Sequence, residues 1–195
     1  MQLRPHQEKA IQAMSRHDKG QVIVPTGGGK TICMIQDAIE QFKSDRLKTI
    51  VVVAPRILLA NQLCEEFLEF IDDVDVLHVH SGETHHTSTT KSKVIEEWYW
   101  ASKKHQLIFT TYHSLHKIQD ATAMLPDTVY FDEAHNAVQK NFIEAVEHHS
   151  MYVVRNYFFT ATPKHSFTPF KTGMNDTDIF GLSLIHISEP TRPIH

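Results

Sequence analysis

The stretch that decides the fold is Val24-Pro25-Thr26-Gly27-Gly28-Gly29-Lys30-Thr31. It follows a short apolar run at residues 21–24 and precedes a helical pattern. Three consecutive glycines allow backbone conformations that other residues avoid, so successive N–H groups can face phosphate oxygens. The sequence therefore predicts a phosphate-binding loop between a strand and a helix.

Within this loop, Lys30 is predicted to contact the β- and γ-phosphates, and the Thr31 hydroxyl is predicted to bind Mg²⁺. The N-terminus of the following helix favours the same anion. The general pattern G-x-x-x-x-G-K-[ST] has glycine where this chain has Val24, so the loop alone does not identify the class of NTPase. The residues predicted to bind ATP here are Pro25, Thr26, Gly27, Gly28, Gly29, Lys30 and Thr31.

Composition is that of a soluble globular protein, with 195 residues, 41% hydrophobic and 22% charged. This length suits one domain. The net charge of −4 excludes a globally basic nucleic-acid binder, although a local basic groove remains compatible with it. No apolar run approaches the roughly 20 residues of a membrane helix, and the N-terminus lacks a signal-peptide layout. A cytoplasmic, nuclear or viral location is therefore expected, without secretion or a membrane anchor.

The two cysteines, Cys33 and Cys64, lie in separate predicted helices without a C-x-x-C pair. They are predicted to be buried, reduced thiols. There are 15 histidines, including adjacent pairs at 85–86 and 148–149. Because adjacent side chains point in different directions, neither pair is predicted to bind metal.

Short β-branched runs alternate with helical patterns, which predicts an α/β fold with a mostly parallel sheet and helices on both faces. The helix after residue 56 has an acidic face that includes Glu66, and this face is predicted to be solvated. Residues 81–93 lack apolar periodicity and are predicted to form an exposed loop. The predicted strands are 21–24, 49–54, 74–80, 107–111, 128–132 and 156–160.

A different kind of sequence begins at Leu182. Residues 182–192 read Leu-Ser-Leu-Ile-His-Ile-Ser-Glu-Pro-Thr-Arg, which looks like the translation of an adapter used in DNA library preparation. We therefore expect the natural domain to cover residues 1–181 and residues 182–195 to be a non-native tail. The alternative is a genuine terminal strand.

A second acidic element follows the predicted strand at 128–132, where residues 129–135 read Val-Tyr-Phe-Asp-Glu-Ala-His. Asp132 is predicted to bind Mg²⁺, and Glu133 is predicted to activate the attacking water. Taken alone, Asp-Glu is an ordinary solvated turn. About a hundred residues after a phosphate loop, the catalytic interpretation is favoured.

Together, residues 25–31 and 132–135 resemble the first RecA-like domain of a superfamily 2 helicase. More narrowly, they are similar to the branch that includes restriction-enzyme helicase subunits and many DEAH-box helicases. The resemblance covers nearly all of residues 1–181. It implies ATP and Mg²⁺ as cofactors, ATP hydrolysis, and a nucleic-acid partner, with DNA favoured over RNA.

Further segments resemble motifs of this family in the same order. Gln7, in Leu3-Arg4-Pro5-His6-Gln7, would hydrogen-bond adenine, because a planar amide both donates and accepts. Helix initiation by Pro5 is the other interpretation, and both can hold. Pro55 and Arg56 match a motif that lies along the nucleic-acid backbone.

Two more strand ends complete the resemblance. Thr111 and Tyr112 match a motif that contacts the sugar-phosphate chain, although hydroxyl-rich strand ends are common in any protein. Thr160 and Thr162, in Thr-Ala-Thr-Pro, match a coupling motif that would bond near Asp132 and His135. A change at the γ-phosphate could then reposition this loop.

In the family, arginines from a second RecA-like domain complete the ATP site, and that domain is expected in cis in the full-length protein. We expect the present chain to bind nucleotide better than it hydrolyses it, because arginine fingers can contribute ~10³-fold or more to the rate. Two alternatives remain open. One is another P-loop enzyme, such as a small-molecule kinase; the other is a nucleotide-dependent nucleic-acid-binding module without efficient hydrolysis.

Overall fold

The chain is described here by a computed structural model that covers residues 2–25 and 29–187. Its centre is an eight-stranded sheet in which every pairing is parallel. The strands are β1 Lys19–Ile23, β2 Thr49–Ala54, β3 Val74–Val79, β4 Thr87–Ser88, β5 His105–Thr111, β6 Thr128–Phe131, β7 Arg155–Thr160 and β8 Ser183–His186. Their order across the sheet is β4-β3-β5-β2-β6-β7-β1-β8.

Helices cover both faces of this sheet. They are α1 Pro5–Arg16, α2 Lys30–Gln41, α3 Ile57–Phe70, α4 Ser92–Ala101, α5 Leu115–Asp120, α6 Ile143–Tyr152 and α7 Thr177–Phe180, with a 3-10 turn at Ala134–Asn136. Buried residues of α1, α2 and α3 share one hydrophobic cluster, and those of α4 to α7 share the other. The sheet therefore has a separate core on each face.

The central strand β2 shows why the chain folds in this way. All six of its residues are buried, with Ile50 and Val52 in one cluster and Val51 and Val53 in the other. Successive side chains of a strand point to opposite faces, so a strand covered on both sides reads as a continuous apolar run. The α/β fold with a parallel sheet is confirmed.

All six predicted strands are present, with ends that differ by at most two residues from the prediction. Two further strands are short. One is β4, a two-residue strand inside the predicted loop at 81–93, where Leu77 and His78 pair with Thr87 and Ser88. Such a strand has too few residues to show a sequence period, and β3 alone determines its position.

The other short strand, β8, lies where the alternative interpretation placed a terminal strand, and it pairs with β1 at the end of the sheet. Its Leu184 packs over Gly20, where a Cβ atom would overlap the leucine side chain. This pairing does not test whether the sequence from Leu182 onward is natural, so the non-native tail stays a prediction. Residues 188–195 of that tail lie outside the described residues.

Both cysteines are buried and free, as predicted. Burial raises the pKa of Cys33 to about 11. Among the helices of residues 2–25 and 29–187, none is long and apolar enough to cross a membrane.

A buried histidine makes the stability of the fold dependent on pH. His149 of α6 is 2% exposed, and its Nδ1–H donates to the Ala145 carbonyl at 2.8 Å. Burial lowers the pKa of His149 from 6.5 to about 4. Between these values the unfolded chain binds a proton that the folded chain does not, so stability is complete above pH 6.5 and falls as the pH drops towards 4.

We therefore expect the titration of His149 to lower the free energy of unfolding by roughly 2 kcal/mol between pH 7 and pH 5. Urea unfolding at both pH values should show a smaller loss for His149→Gln than for the unmodified chain. His116→Gln changes an exposed histidine and should leave the loss unchanged. Equal losses in all three proteins would contradict the prediction.

Candidate functional site

The candidate site lies at the ends of three neighbouring strands. In the sheet order β6, β7 and β1 are consecutive, so the segments that follow them lie together at the carboxyl edge of the sheet. Ligands of open parallel sheets bind at this edge. The edge carries Pro25 and Lys30 after β1, Asp132 and Glu133 after β6, and the residues that follow Thr160 of β7.

Lys30 connects the two acidic residues to the start of α2. Its Nζ lies 2.8 Å from Asp132 Oδ1 and also contacts Glu133 Oε1. Gly29, the residue before α2, has φ +76°, a left-handed conformation that glycine adopts easily. The structure thus brings together the predicted catalytic residues. Thr26, Gly27 and Gly28 lie outside the described residues, and their phosphate contacts stay predictions.

Glu133 has an uncommon backbone conformation. Its φ of 47° and ψ of 55° place it in the left-handed region, immediately after β6 and before the 3-10 turn. Such angles are unfavourable for a residue other than glycine and persist where the surrounding structure imposes them. Here the turn allows two consecutive carboxylates, on Asp132 and Glu133, to reach the same lysine.

The charges at this site are unequally buried. Asp132 is 5% exposed, and burial raises its pKa more than the attraction of Lys30 lowers it. Burial also acts to lower the pKa of Lys30, but the two carboxylates outweigh it and the pKa is raised. Lys30 therefore stays positively charged, and it compensates a carboxylate that has lost most of its water.

Gln7 packs against Gly29 of the predicted phosphate loop. Its Oε1 accepts from the Arg4 backbone N–H at 2.8 Å, and its Nε2 donates to the Gly29 carbonyl at 3.3 Å. A Cβ atom on Gly29 would overlap Gln7 Nε2. Pro5 begins α1, as the alternative interpretation predicted. Gln7 thus joins α1 to the loop, and its contact with adenine stays a prediction.

Glu66 is the residue that sequence reasoning missed. It is exposed on α3, as the solvated acidic face predicts, yet its carboxylate lies close enough to the Thr31 side chain and to Asp132 for both to affect its pKa. Burial is the main cause of its raised pKa. No motif marks this residue, because only the packing of α3 beside α2 brings Glu66 to Thr31.

A chain of contacts leads from the acidic residues to the loop after β7. His135 Nδ1 lies 3.7 Å from Glu133 Oε2 and 2.9 Å from Thr160 Oγ1. The Thr160 hydroxyl oxygen in turn accepts from the Thr162 backbone N–H at 3.1 Å. Burial lowers the pKa of His135, so its ring is neutral near pH 7. The structure thus brings together the three predicted coupling residues.

The residues predicted to contact nucleic acid are in two different environments. Arg56 is exposed at the start of α3, and Pro55 beside it is half-buried. Thr111 and Tyr112 are buried, and the Tyr112 hydroxyl donates to the Asp132 carbonyl at 2.7 Å. The Tyr112 side chain therefore supports the end of β6, and a contact of nucleic acid with the backbone or hydroxyls of this strand end stays a prediction.

The side chains at the site offer oxygen ligands. Thr31 contributes a hydroxyl, and Asp132 and Glu66 contribute carboxylates. A hydroxyl oxygen has two lone pairs, so Thr31 can bind a metal while its O–H interacts with Glu66. Hard oxygen ligands of this kind fit Mg²⁺, which proteins bind through one or two carboxylates together with phosphates and water.

Known proteins resemble the chain in sequence and in fold. The family model for "Type III restriction enzyme, res subunit" matches residues 1–165. No curated protein matches it. A nuclease-deletion mutant of the Type ISP restriction-modification enzyme LlaGI, in complex with a DNA substrate mimic, is similar in structure with a TM-score of 0.79 and 22% identity. That match covers 96% of this chain and 20% of LlaGI.

Two further solved structures are similar. The Hef helicase domain of Pyrococcus furiosus matches with a TM-score of 0.69 and 20% identity, over 97% of this chain and 38% of that chain. The SWI2/SNF2 ATPase core of Sulfolobus solfataricus, in complex with dsDNA, matches with a TM-score of 0.63 and 21% identity, over 84% of this chain and 32% of that chain. The fold is thus that of a RecA-like helicase domain, and the chain spans well under half the length of these proteins.

Proposed function

Because this chain belongs to the family of type III restriction enzyme res subunits, we propose that it is the ATP-binding domain of a nucleic-acid-dependent motor. In this proposal it binds ATP with Mg²⁺ and hydrolyses it when a second RecA-like domain completes the site. The observation that carries the proposal is the contact of Lys30 with both Asp132 and Glu133 at the carboxyl edge of the sheet.

Lys30 has two roles in this mechanism. In the structure it neutralises two carboxylates that would otherwise repel a triphosphate. The phosphates of ATP would compete with those carboxylates for Lys30. Glu133, which is the more exposed of the two, would then be free to accept a proton from the attacking water.

Thr31 and Asp132 would bind the metal, and Glu66 would orient the Thr31 hydroxyl. Bound Mg²⁺ would neutralise charge on the β- and γ-phosphates. Asp132 is suited to this role because Lys30 already orients its buried carboxylate and the Tyr112 hydroxyl holds its backbone carbonyl. Gln7 would place α1 against the same loop and offer its amide to adenine.

In this proposal, ATP hydrolysis would be coupled to the nucleic-acid partner through the contacts that link Glu133, His135 and Thr160. A change in the hydrogen bonds of Glu133 would alter the position of His135, and with it the loop that includes Thr162. DNA is the favoured partner, because LlaGI and the SWI2/SNF2 core are both described in complex with DNA or a DNA mimic. Arg56, which is exposed at the start of α3, is suited to contact a phosphate of the DNA backbone.

The test is ATP hydrolysis by this chain, and by the protein extended with the sequence that follows residue 181 in its gene. Each is assayed with single-stranded DNA, double-stranded DNA, RNA and no nucleic acid. We expect the extended protein to hydrolyse ATP several-fold faster with DNA, and the chain alone to bind nucleotide with slow turnover. Equal turnover by the extended protein under all conditions would contradict a motor function and favour another P-loop enzyme.

A further inference from the structure

A cavity of about 700 Å³ lies between α3 and the segment that joins β3 to β4. Three side chains from separate elements meet there: Cys64 of α3, His78 of β3, and His86 just before β4. One potential ligand atom from each lies within 4.8 Å of the others. The strands β5 and β2 separate β3 from β6, so this cluster belongs to a different part of the sheet from the ATP site.

The cavity contains buried polar atoms that lack partners. His78 is completely buried, and its Nε2 makes no hydrogen bond within the described part of the chain. The Oδ1 atom of Asn61, which lines the same cavity, is also buried and without a hydrogen bond there. An unpaired buried polar atom costs about 1–3 kcal/mol, and a bound ion is one of the few partners that would remove this cost.

From this cluster we propose that Cys64, His78 and His86 bind a zinc ion. A thiolate with two imidazoles is a ligand set typical of zinc, whereas Mg²⁺ and Ca²⁺ prefer oxygen. Ligand atoms of a tetrahedral zinc site lie about 3.3–3.8 Å apart. The three atoms must therefore approach by about 1 Å, and His86, which is exposed, can supply this movement. Glu65 and Glu83 line the cavity and offer a fourth ligand.

The protons of the site can be accounted for. The Gly82 N–H donates to His80 Nδ1 at 3.1 Å, so neutral His80 carries its proton on Nε2 and donates it to His78 Nδ1 at 3.2 Å. Neutral His78 then carries its own proton on Nε2. For zinc to bind His78 Nε2, both rings must change tautomer. His78 Nδ1–H then donates to His80 Nε2, and His80 Nδ1, now protonated, no longer accepts from the Gly82 N–H.

Only one proton then leaves the protein, and it comes from the thiol. Burial raises the pKa of Cys64 to about 12, so the thiol is neutral in the absence of metal. Zinc deprotonates a coordinating thiol outright, and metal binding is therefore expected to release this proton.

The ion would hold the 81–86 segment against the middle of α3. That segment already packs there, because Asn61 Nδ2 donates to the Glu83 carbonyl at 3.2 Å and Gly82 lies so close to Ile57 that a Cβ would collide with it. Ile57 follows Arg56 at the start of the helix. The zinc site would thus stabilise the surface beside Arg56, and it does not depend on the proposed ATPase activity.

The experiment uses Co²⁺ as a spectroscopic probe and Zn²⁺ as its competitor, with the purified chain. We expect one equivalent of Co²⁺ to give the visible bands of a tetrahedral site and a thiolate-to-cobalt charge-transfer band, both lost when Zn²⁺ is added. At zinc about 100-fold above its Kd, the Tm should rise by roughly 5–10 °C. A chelator should reverse this rise.

Matched variants identify the ligands. His86→Ala, which changes an exposed side chain, and Cys64→Ala should each abolish the charge-transfer band and the zinc-dependent rise in Tm. Cys33→Ala, which removes the other buried thiol, and His116→Ala, which removes an exposed histidine, should preserve both. Circular dichroism establishes that each variant is folded. The proposal is overturned if the unmodified chain gives no charge-transfer band, or if the band persists in folded His86→Ala or Cys64→Ala.

Discussion

Replacing Glu133 with glutamine is expected to lower DNA-stimulated ATP hydrolysis about 10²–10⁴-fold while ATP binding is retained. Glutamine keeps the size of the side chain but cannot accept a proton from the attacking water. It also removes one of the two carboxylates that contact Lys30, so nucleotide affinity should be unchanged or higher. Turnover in the extended protein and nucleotide affinity by titration measure the two effects separately.

Two further variants define the role of Glu133. Glu144→Gln, which changes an exposed glutamate at the start of α6, should leave hydrolysis unchanged. Lys30→Ala should instead weaken ATP binding itself, because it removes the positive charge beside the phosphate loop. If Glu133→Gln hydrolyses ATP within a few-fold of the unmodified protein, Glu133 is not the general base, and the assignment of this site has to be revised.

Replacing Asp37 with alanine is expected to lower the free energy of unfolding by about 3–5 kcal/mol. Asp37 of α2 is 3% exposed and accepts two hydrogen bonds from the Arg155 guanidinium, at 2.7 and 2.9 Å. The Tyr130 hydroxyl also donates to it. Without the carboxylate, the mostly buried charge of Arg155 and the fully buried hydroxyl of Tyr130 would lose this partner.

Urea unfolding measures this loss, with Glu40→Ala as the matched control on the same helix. Glu40 forms an exposed ion pair with Lys43, and such pairs contribute about 0–1 kcal/mol. If Asp37→Ala is too unstable to purify, Asp37→Asn keeps part of the hydrogen bonding and should show an intermediate loss. A loss from Asp37→Ala as small as that from Glu40→Ala would mean that the buried pair does not stabilise the contact of α2 with β7.

The Asp37 network shows where sequence reasoning reaches its limit. Asp37 and Arg155 are separated by 118 residues, and neither belongs to a motif. Each looks like an ordinary charged residue of a helix or a strand end. Because charged residues are mostly exposed, nothing in the sequence distinguished this pair from the solvated acidic face of α3. The same limit applies to Glu66, which resembles its neighbours on that face until α3 packs beside Thr31.

Short strands show a similar limit. The six longer strands were predictable because burial favours short, mostly apolar runs, of which β2 is the clearest. No such run marks β4, which exists because the edge of β3 offers it unpaired backbone groups.

The sequence by itself determined the parallel α/β fold, the family, and the proximity of Lys30 to Asp132 and Glu133. The fold follows from local patterns, because glycines and strand-like apolar runs act within a few residues of one another. The proximity of Lys30 to Glu133, 103 residues away, follows from motifs that each come after a strand of one parallel sheet. Only the tertiary structure decided that Glu66 joins Thr31, that Asp37 is buried against Arg155, and that Cys64, His78 and His86 meet in one cavity. Those contacts depend on which helix face packs against which strand, and that depends on the whole core.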